Sequence, residues 1–178
     1  MKQNHSIAPS IATSVLLVLS ILGAGIGSVV AGETNRLTGP YFGQQPPGFE
    51  AEIFAADLIS VEGRYEFAIS FAPGGERLLF TAQTASGEVR VLHSQVTDGS
   101  WSRPEPVDLS AGARNDEMEA FFAPDGKHVY FAPYDEGLDV RIWQVEIAGD
   151  EWINPAPLSG PIAEAPSFFP TTAVSGSL

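Results

Sequence analysis

The stretch Arg114-Asn115-Asp116-Glu117-Met118-Glu119-Ala120 places a guanidinium, an amide and three carboxylates within seven residues. An earlier stretch, Gly63-Arg64-Tyr65-Glu66-Phe67-Ala68, keeps an arginine and one glutamate, and Glu164 precedes a later Phe-rich run. Carboxylates gathered on one rim can hold a cation or the polar groups of a ligand, and an unlike pair can exchange protons at a glycosidic bond. Arg64, Glu66, Asp116, Glu117, Glu119 and Glu164 are therefore the candidate ligand-binding residues.

Other chemistry finds little footing. There is no G-x-S-x-G elbow, and no serine sits in a triad context. His5 lies in the N-terminal region, while His93 and His128 are single histidines at strand positions. No H-x-x-H, H-E-x-x-H or calcium-loop pattern occurs. The "DEGLD" segment, residues 135 to 139, has three carboxylates without EF-hand spacing and reads as a solvated turn. With no cysteine in the chain, thiolate chemistry and disulfides are excluded. No catalytic residue, metal site or cofactor is expected.

The elements that must position the candidates repeat. "EAFFAPDGKHVYFAP", residues 119 to 133, restates "ISFAPGGERLLFTA", residues 69 to 82, at an offset of 51. The same offset puts Glu66 on Glu117, Phe80 on Phe131, Arg90-Val91 on Arg141-Ile142 and Trp101 on Trp152. "EAPSFFPTTAVSGSL", from Glu164, aligns with the second copy at an offset of 47, with Phe169 on Phe122. Each period reads as four short strands separated by Gly-rich turns. In the first copy they span Glu66 to Phe71, Arg77 to Gln83, Glu88 to Val96 and Trp101 to Leu109. In the second they span Glu117 to Phe122, His128 to Pro133, Asp139 to Ile147 and Trp152 to Leu158.

Four-stranded units at this period predict an all-β fold of the β-propeller type, with about two complete blades and the start of a third. In such a ring the first strand of each blade lines the central channel. Glu66, Glu117 and Glu164 then form a ring of carboxylates at a channel mouth. The alternative is that they pin backbone amides or a neighbouring blade's arginine. Symmetric repetition favours pins, because active sites are seldom repeated in every unit.

The phrases "FAPGGERLLF" and "FAPDGKHVYF" resemble the WD40-like, TolB-type β-propeller repeat, with its F-S-P-D-G-K core and following apolar strand. Ala72 and Ala123 stand where that pattern has Ser, Gly74 stands where it has Asp, and the third copy lacks the P-D-G turn. The opening "GPYFGQQPPGFEAEIFA" is similar to the entry segment of small exported proteins of this type. The resemblance implies a periplasmic role with a protein partner.

Composition bounds the rest. The net charge of −13 repels phosphate backbones and anionic lipid, so nucleic acid is not an expected partner. From Ile7 to Gly32 the chain carries no charge, with its densest apolar run at Val15 to Leu22 and small residues at Val29 and Ala31. That is the layout of a secretory signal helix over residues 1 to 31, or of an uncleaved anchor. An entry linker over 32 to 50 follows, then the partial propeller over 51 to 178, with repeats at about 51–109, 110–160 and 161–178.

After leader cleavage no stable membrane insertion is expected, and the chain is placed in the periplasm or outside the cell. Too few blades are present for a closed ring, which predicts a fragment of a longer product. The function expected is a non-catalytic binding or scaffolding module for a protein or glycan partner in the cell envelope. Its rivals are a carbohydrate-active lyase or glycosidase using channel carboxylates, and the accessory domain of a peptidase.

Overall fold

The computed structural model describes residues 38–134 and 140–178; the expected leader and the "DEGLD" segment, residues 135–139, lie outside the described residues. The described chain is all-β, with two antiparallel sheets and no α-helix. Sheet 1 holds β1 (Tyr65–Phe71), β2 (Arg77–Gln83), β3 (Val89–Thr97), β4 (Ser100–Trp101) and β5 (Glu105–Pro106). Its order is β1-β2-β3-β4, and β5 also pairs with β3. Sheet 2 is the meander β6 (Glu117–Phe122), β7 (His128–Pro133), β8 (Trp143–Ala148) and β9 (Glu151–Pro157).

The repeat extends to backbone detail. Pairing of β1 with β2 shifts register between Phe67 and Ser70, and pairing of β6 with β7 shifts between Met118 and Phe121. Inside each bulge one residue turns left-handed, Ala68 at φ 52 and Glu119 at φ 57. Both hairpin turns close alike: Gly75 N donates to Ala72 O at 2.8 Å, and Gly126 N to Ala123 O at 3.0 Å. Gly75 and Gly126 sit at φ 71 and 67, where any side chain would be strained. Asp125 Oδ1 adds a brace in the second turn by accepting from Lys127 N at 2.8 Å.

The outer strand departs from its expected span. Sheet 1 breaks it between β4 and β5, where Pro104 removes a ladder donor. Sheet 2 keeps β9 continuous, but its register against β8 shifts at the same place, where Asn154 stands at φ 54.

The third copy falls in a different register from the sequence alignment. Phe169, at φ 51, takes the left-handed place of Ala68 and Glu119. Seven residues later Gly176 N donates to Ala173 O at 2.9 Å, the bond made by Gly75 and Gly126. The offset from the second copy is therefore 50, not 47. Phe169 matches Glu119 rather than Phe122, and Ser167 rather than Glu164 matches Glu117. Residues 165–178 form no strand.

Alternation along the strands gives each sheet two distinct faces. One face of sheet 1 carries Leu79, Thr81 and Val91; it packs on Phe122, Val129, Phe131 and Val145 of sheet 2 and on Leu109 of the linker before β6. The other face, Leu78, Phe80, Leu92 and Trp101, is covered by Phe42, Ala55 and Ile59 of the entry segment. Leu78, Phe80 and Trp101 are the repeat counterparts of Val129, Phe131 and Trp152. The entry segment thus covers on sheet 1 the surface that sheet 1 covers on sheet 2.

The two tryptophans show the substitution residue by residue. Trp101 stacks on Phe42 with centroids 4.2 Å apart, and its Nε1 donates to Gly39 O at 3.0 Å. Trp152 is met edge-on by His93 of sheet 1, at 5.4 Å. His93 Nε2 is buried without a hydrogen-bond partner among the described residues. Burial, with the Arg77 charge beside it, lowers its pKa from 6.5 to about 4.

The imidazole therefore folds in neutral, and its contribution to stability is complete above pH 6.5 and lost as pH falls toward 4. His93→Phe, which installs at Trp152 the residue type that meets Trp101, should be at least as stable as wild type at pH 7. It should then gain on wild type by on the order of 1 kcal/mol at pH 5, after allowing for solvent screening at a half-buried site. Urea midpoints of both proteins at pH 7, 5 and 4 check this, and parallel pH curves would count against it.

Candidate functional site

The sheet end that carries the starts of β1 and β6 gathers four of the six candidate residues. Glu66, at the start of β1, turns back on the preceding linker. Its Oε1 accepts from Val61 N at 3.2 Å and from Arg64 Nε at 2.7 Å. Arg64 also donates through Nη2 to Ile59 O at 2.7 Å and lies over the Phe80 ring, 5.7 Å from its centroid. Both polar groups are thus engaged in fastening residues 59–61 to sheet 1.

Glu117 repeats the arrangement in a more buried form. Its Oε2 accepts from Leu109 N at 2.8 Å and its Oε1 from Ser110 N at 2.7 Å, and the side chain is only 6% exposed. Burial raises its pKa, against the pull of these donors. Leu109 belongs to the core between the sheets, so this carboxylate anchors the linker that delivers it.

Asp116, next to Glu117, points the other way and accepts from Arg90 Nη1 of β3 at 2.7 Å. Arg90 also donates to Asn115 O at 3.2 Å and pairs with Glu88 at 3.0 Å. At the opposite end of the sheets Arg77 does the same work, donating to Gly149 O and to Asp150 Oδ1, each at 2.6 Å. One arginine of sheet 1 therefore crosses to the sheet 2 repeat at each end.

Glu119 is not at this rim. It occupies the left-handed bulge position, is buried, and accepts from Phe169 N through Oε2 at 2.6 Å. Burial pushes its pKa up, with the Phe169 amide opposing. Glu164 is exposed in a short 3-10 turn, Pro161–Glu164. The structure brings Arg64 to Glu66 and Asp116 beside Glu117; it leaves Glu119 and Glu164 apart from both.

A cleft of about 270 Å³ opens beside Glu117. Val91, Pro106 and Val107 give it an apolar wall, and Arg90, Asp108, Arg114 and Asn115 give it polar groups of both signs. Arg114 also lies over the Trp143 ring at 5.5 Å. Asp108 accepts from Ser110 Oγ at 3.2 Å, which fixes its carboxylate relative to the Glu117 anchor.

Arg90 and Asp108 were legible only as recurring repeat residues, matching Arg141 and Asp57. Nothing local in the sequence says that β3 and the linker into β6 meet across a cleft. Among the described residues no cluster of His, Cys, Asp and Glu has the arrangement of a metal site. Compared with family models and with curated proteins, the chain matches none.

Proposed function

We propose that this chain is an exported, non-catalytic binding module of the β-propeller type, recognising a glycan or protein surface of the cell envelope through the cleft beside Glu117. The observation that carries the reading is the cleft itself. It combines an apolar wall with charged and amide groups, on the ends of strands whose cores are closely packed. A sugar ring or a polar loop fits such a lining better than an apolar ligand or a bare anion, because Arg90 is already paired with Asp116 and Glu88.

The propeller part rests on the repetition of register, bulge, left-handed residue and turn from sheet 1 to sheet 2, and on their face-to-face packing. Hydrolytic catalysis by the recurrent glutamates gains no support. Both oxygens of Glu117 face backbone amides, and Glu66 is tied to Arg64 and Val61.

The test is titration calorimetry of the purified chain against envelope oligosaccharides and envelope protein fractions, with Arg90→Ala as comparison. Arg90 and Asp116 are partly exposed, so the substitution should change stability by about 1 kcal/mol or less. Binding should weaken by about tenfold or more. Equal binding by Arg90→Ala would place the recognition surface elsewhere. Subcellular fractionation and the mass of the mature N-terminus check export separately.

A further inference from the structure

The entry segment does more than cover sheet 1. Tyr41 and Phe42 both stand in the left-handed region, at φ 55, which bulky residues seldom adopt. Two contacts hold that strain. Phe42 is buried against Trp101, and Gln44 N donates to Tyr41 O at 3.0 Å. With Phe42 turned into the core, Tyr41 is left at the surface, 44% exposed.

Gln44 fixes the other side of the site. Its Nε2 donates to Ile53 O at 3.0 Å, and its Oε1 accepts from Ala55 N. One side chain thus ties together the two ends of the loop of residues 45–54. Beside that loop lies a cavity of about 170 Å³, lined by Tyr41, Gln44, Gln45, Pro47, Glu52 and Phe54. It is smaller than the roughly 300–1,000 Å³ of drug-sized sites, so it takes a small group.

The lining narrows the chemistry of that group. Tyr41, Pro47 and Phe54 offer apolar and aromatic surface, and Glu52 carries the one formal charge. Glu52 is exposed and is in no ion pair among the described residues. From Thr38 to Gly63 the chain has four carboxylates and no lysine or arginine. An anion would therefore meet Glu52 with no base to offset it. A neutral apolar group would cover that carboxylate without pairing it, which is unfavourable. A sugar ring needs donors and acceptors along its edge, and both polar atoms of Gln44 already serve the loop's own backbone. A cation with an apolar surface suits every wall, because aromatic faces attract positive charge and methyl groups need little water.

We propose that this cavity binds a quaternary ammonium group of the kind choline carries, against the rings of Tyr41 and Phe54, with Glu52 balancing its charge. The source expected is a free methylated-ammonium solute rather than a lipid headgroup, because a phosphate beside the cation would approach Glu52. The cavity shares no lining residue with the cleft beside Glu117, and the inference does not depend on what that cleft binds.

The probe is choline chloride, titrated into the chain at constant ionic strength and followed by proton NMR. Dimethylbutanol, its neutral isostere with carbon in place of nitrogen, is the control. Saturable one-to-one binding of choline is expected, with the isostere weaker by about tenfold or more. Tyr41→Leu, which removes the ring, and Glu52→Gln, which removes the charge, should each weaken choline by about tenfold; Tyr41→Phe should retain it. Both positions are exposed, so urea midpoints should stay near wild type, and Glu52→Gln keeps the test decisive if Tyr41→Leu disturbs the turn. No saturable binding, equal binding of the isostere, or choline binding that both substitutions leave unchanged overturns the proposal. Phosphocholine and phosphatidylcholine vesicles decide the source. Phosphocholine should bind more weakly than choline, and the vesicles should retain wild type no better than Tyr41→Leu. Retention that Tyr41→Leu abolishes would overturn the free solute in favour of the headgroup.

Discussion

Phe131→Ala is expected to lower the unfolding free energy by about 3–5 kcal/mol, the range for removing a fully buried phenylalanine from a core that cannot collapse around the gap. Phe131 has no exposed surface and sits in the cluster that joins the two sheets, among Leu79, Val91, Leu109, Val129 and Val145. Its neighbours come from four strands and one linker, so no single side chain can move to fill the space. Phe80, at the same position of the first repeat, is also buried, at 1%. There the covering residues are Phe42, Ala55 and Ile59 of an irregular segment, and Arg64 lies over the ring. Phe80→Ala should therefore cost less, about 2–4 kcal/mol, because an irregular segment can settle more readily than a hydrogen-bonded sheet. The two losses should add within about 0.5 kcal/mol, since the residues belong to different clusters. Urea denaturation of the two single variants and the double variant measures all three. A loss near 1 kcal/mol for Phe131→Ala would mean that the two sheets are not packed as described.

Much of this core was legible in the sequence, and the reason is periodicity. Apolar residues at Leu78 and Phe80, and at Val129 and Phe131, mark one buried face of each hairpin, and the Pro-x-Gly turns fix where each hairpin folds. The third copy misled the alignment because side-chain identity was matched where backbone conformation is what repeats. Glu164 and the adjacent phenylalanines drew the offset to 47, whereas the left-handed residue and the glycine of the turn set it at 50. Gly176 was the signal that could have shown this. The recurrence of glutamate at 66 and 117 was equally visible, but its use was not. Whether such a carboxylate faces a channel or an amide depends on the path of the linker before it, and that path is irregular. The cleft was hidden for a similar reason, being formed by β3 and a linker from the adjoining repeat boundary.

Substitution of Glu117 separates the two roles open to a recurrent glutamate. Glu117→Ala leaves the amides of Leu109 and Ser110 without their acceptor in a buried place. Each orphaned donor costs about 1–3 kcal/mol, so a loss of about 2–5 kcal/mol is expected. Glu117→Gln keeps the shape and one oxygen, and turns a donating NH₂ toward the other amide; about 1–3 kcal/mol should be lost. Glu66→Ala should lose about 1 kcal/mol, because its carboxylate is partly exposed and accepts from only one backbone amide. The order expected is therefore Glu117→Ala, then Glu117→Gln, then Glu66→Ala. Denaturation midpoints give the ranking, and hydrogen exchange at the Leu109 and Ser110 amides gives the mechanism: both should lose protection in Glu117→Ala. A pin acts on stability first, and on binding only in proportion to the population unfolded or the linker displaced. If Glu117→Ala unfolds within about 0.5 kcal/mol of wild type while ligand binding at the cleft disappears, the carboxylate belongs to the ligand, and the anchoring role assigned to it here is wrong.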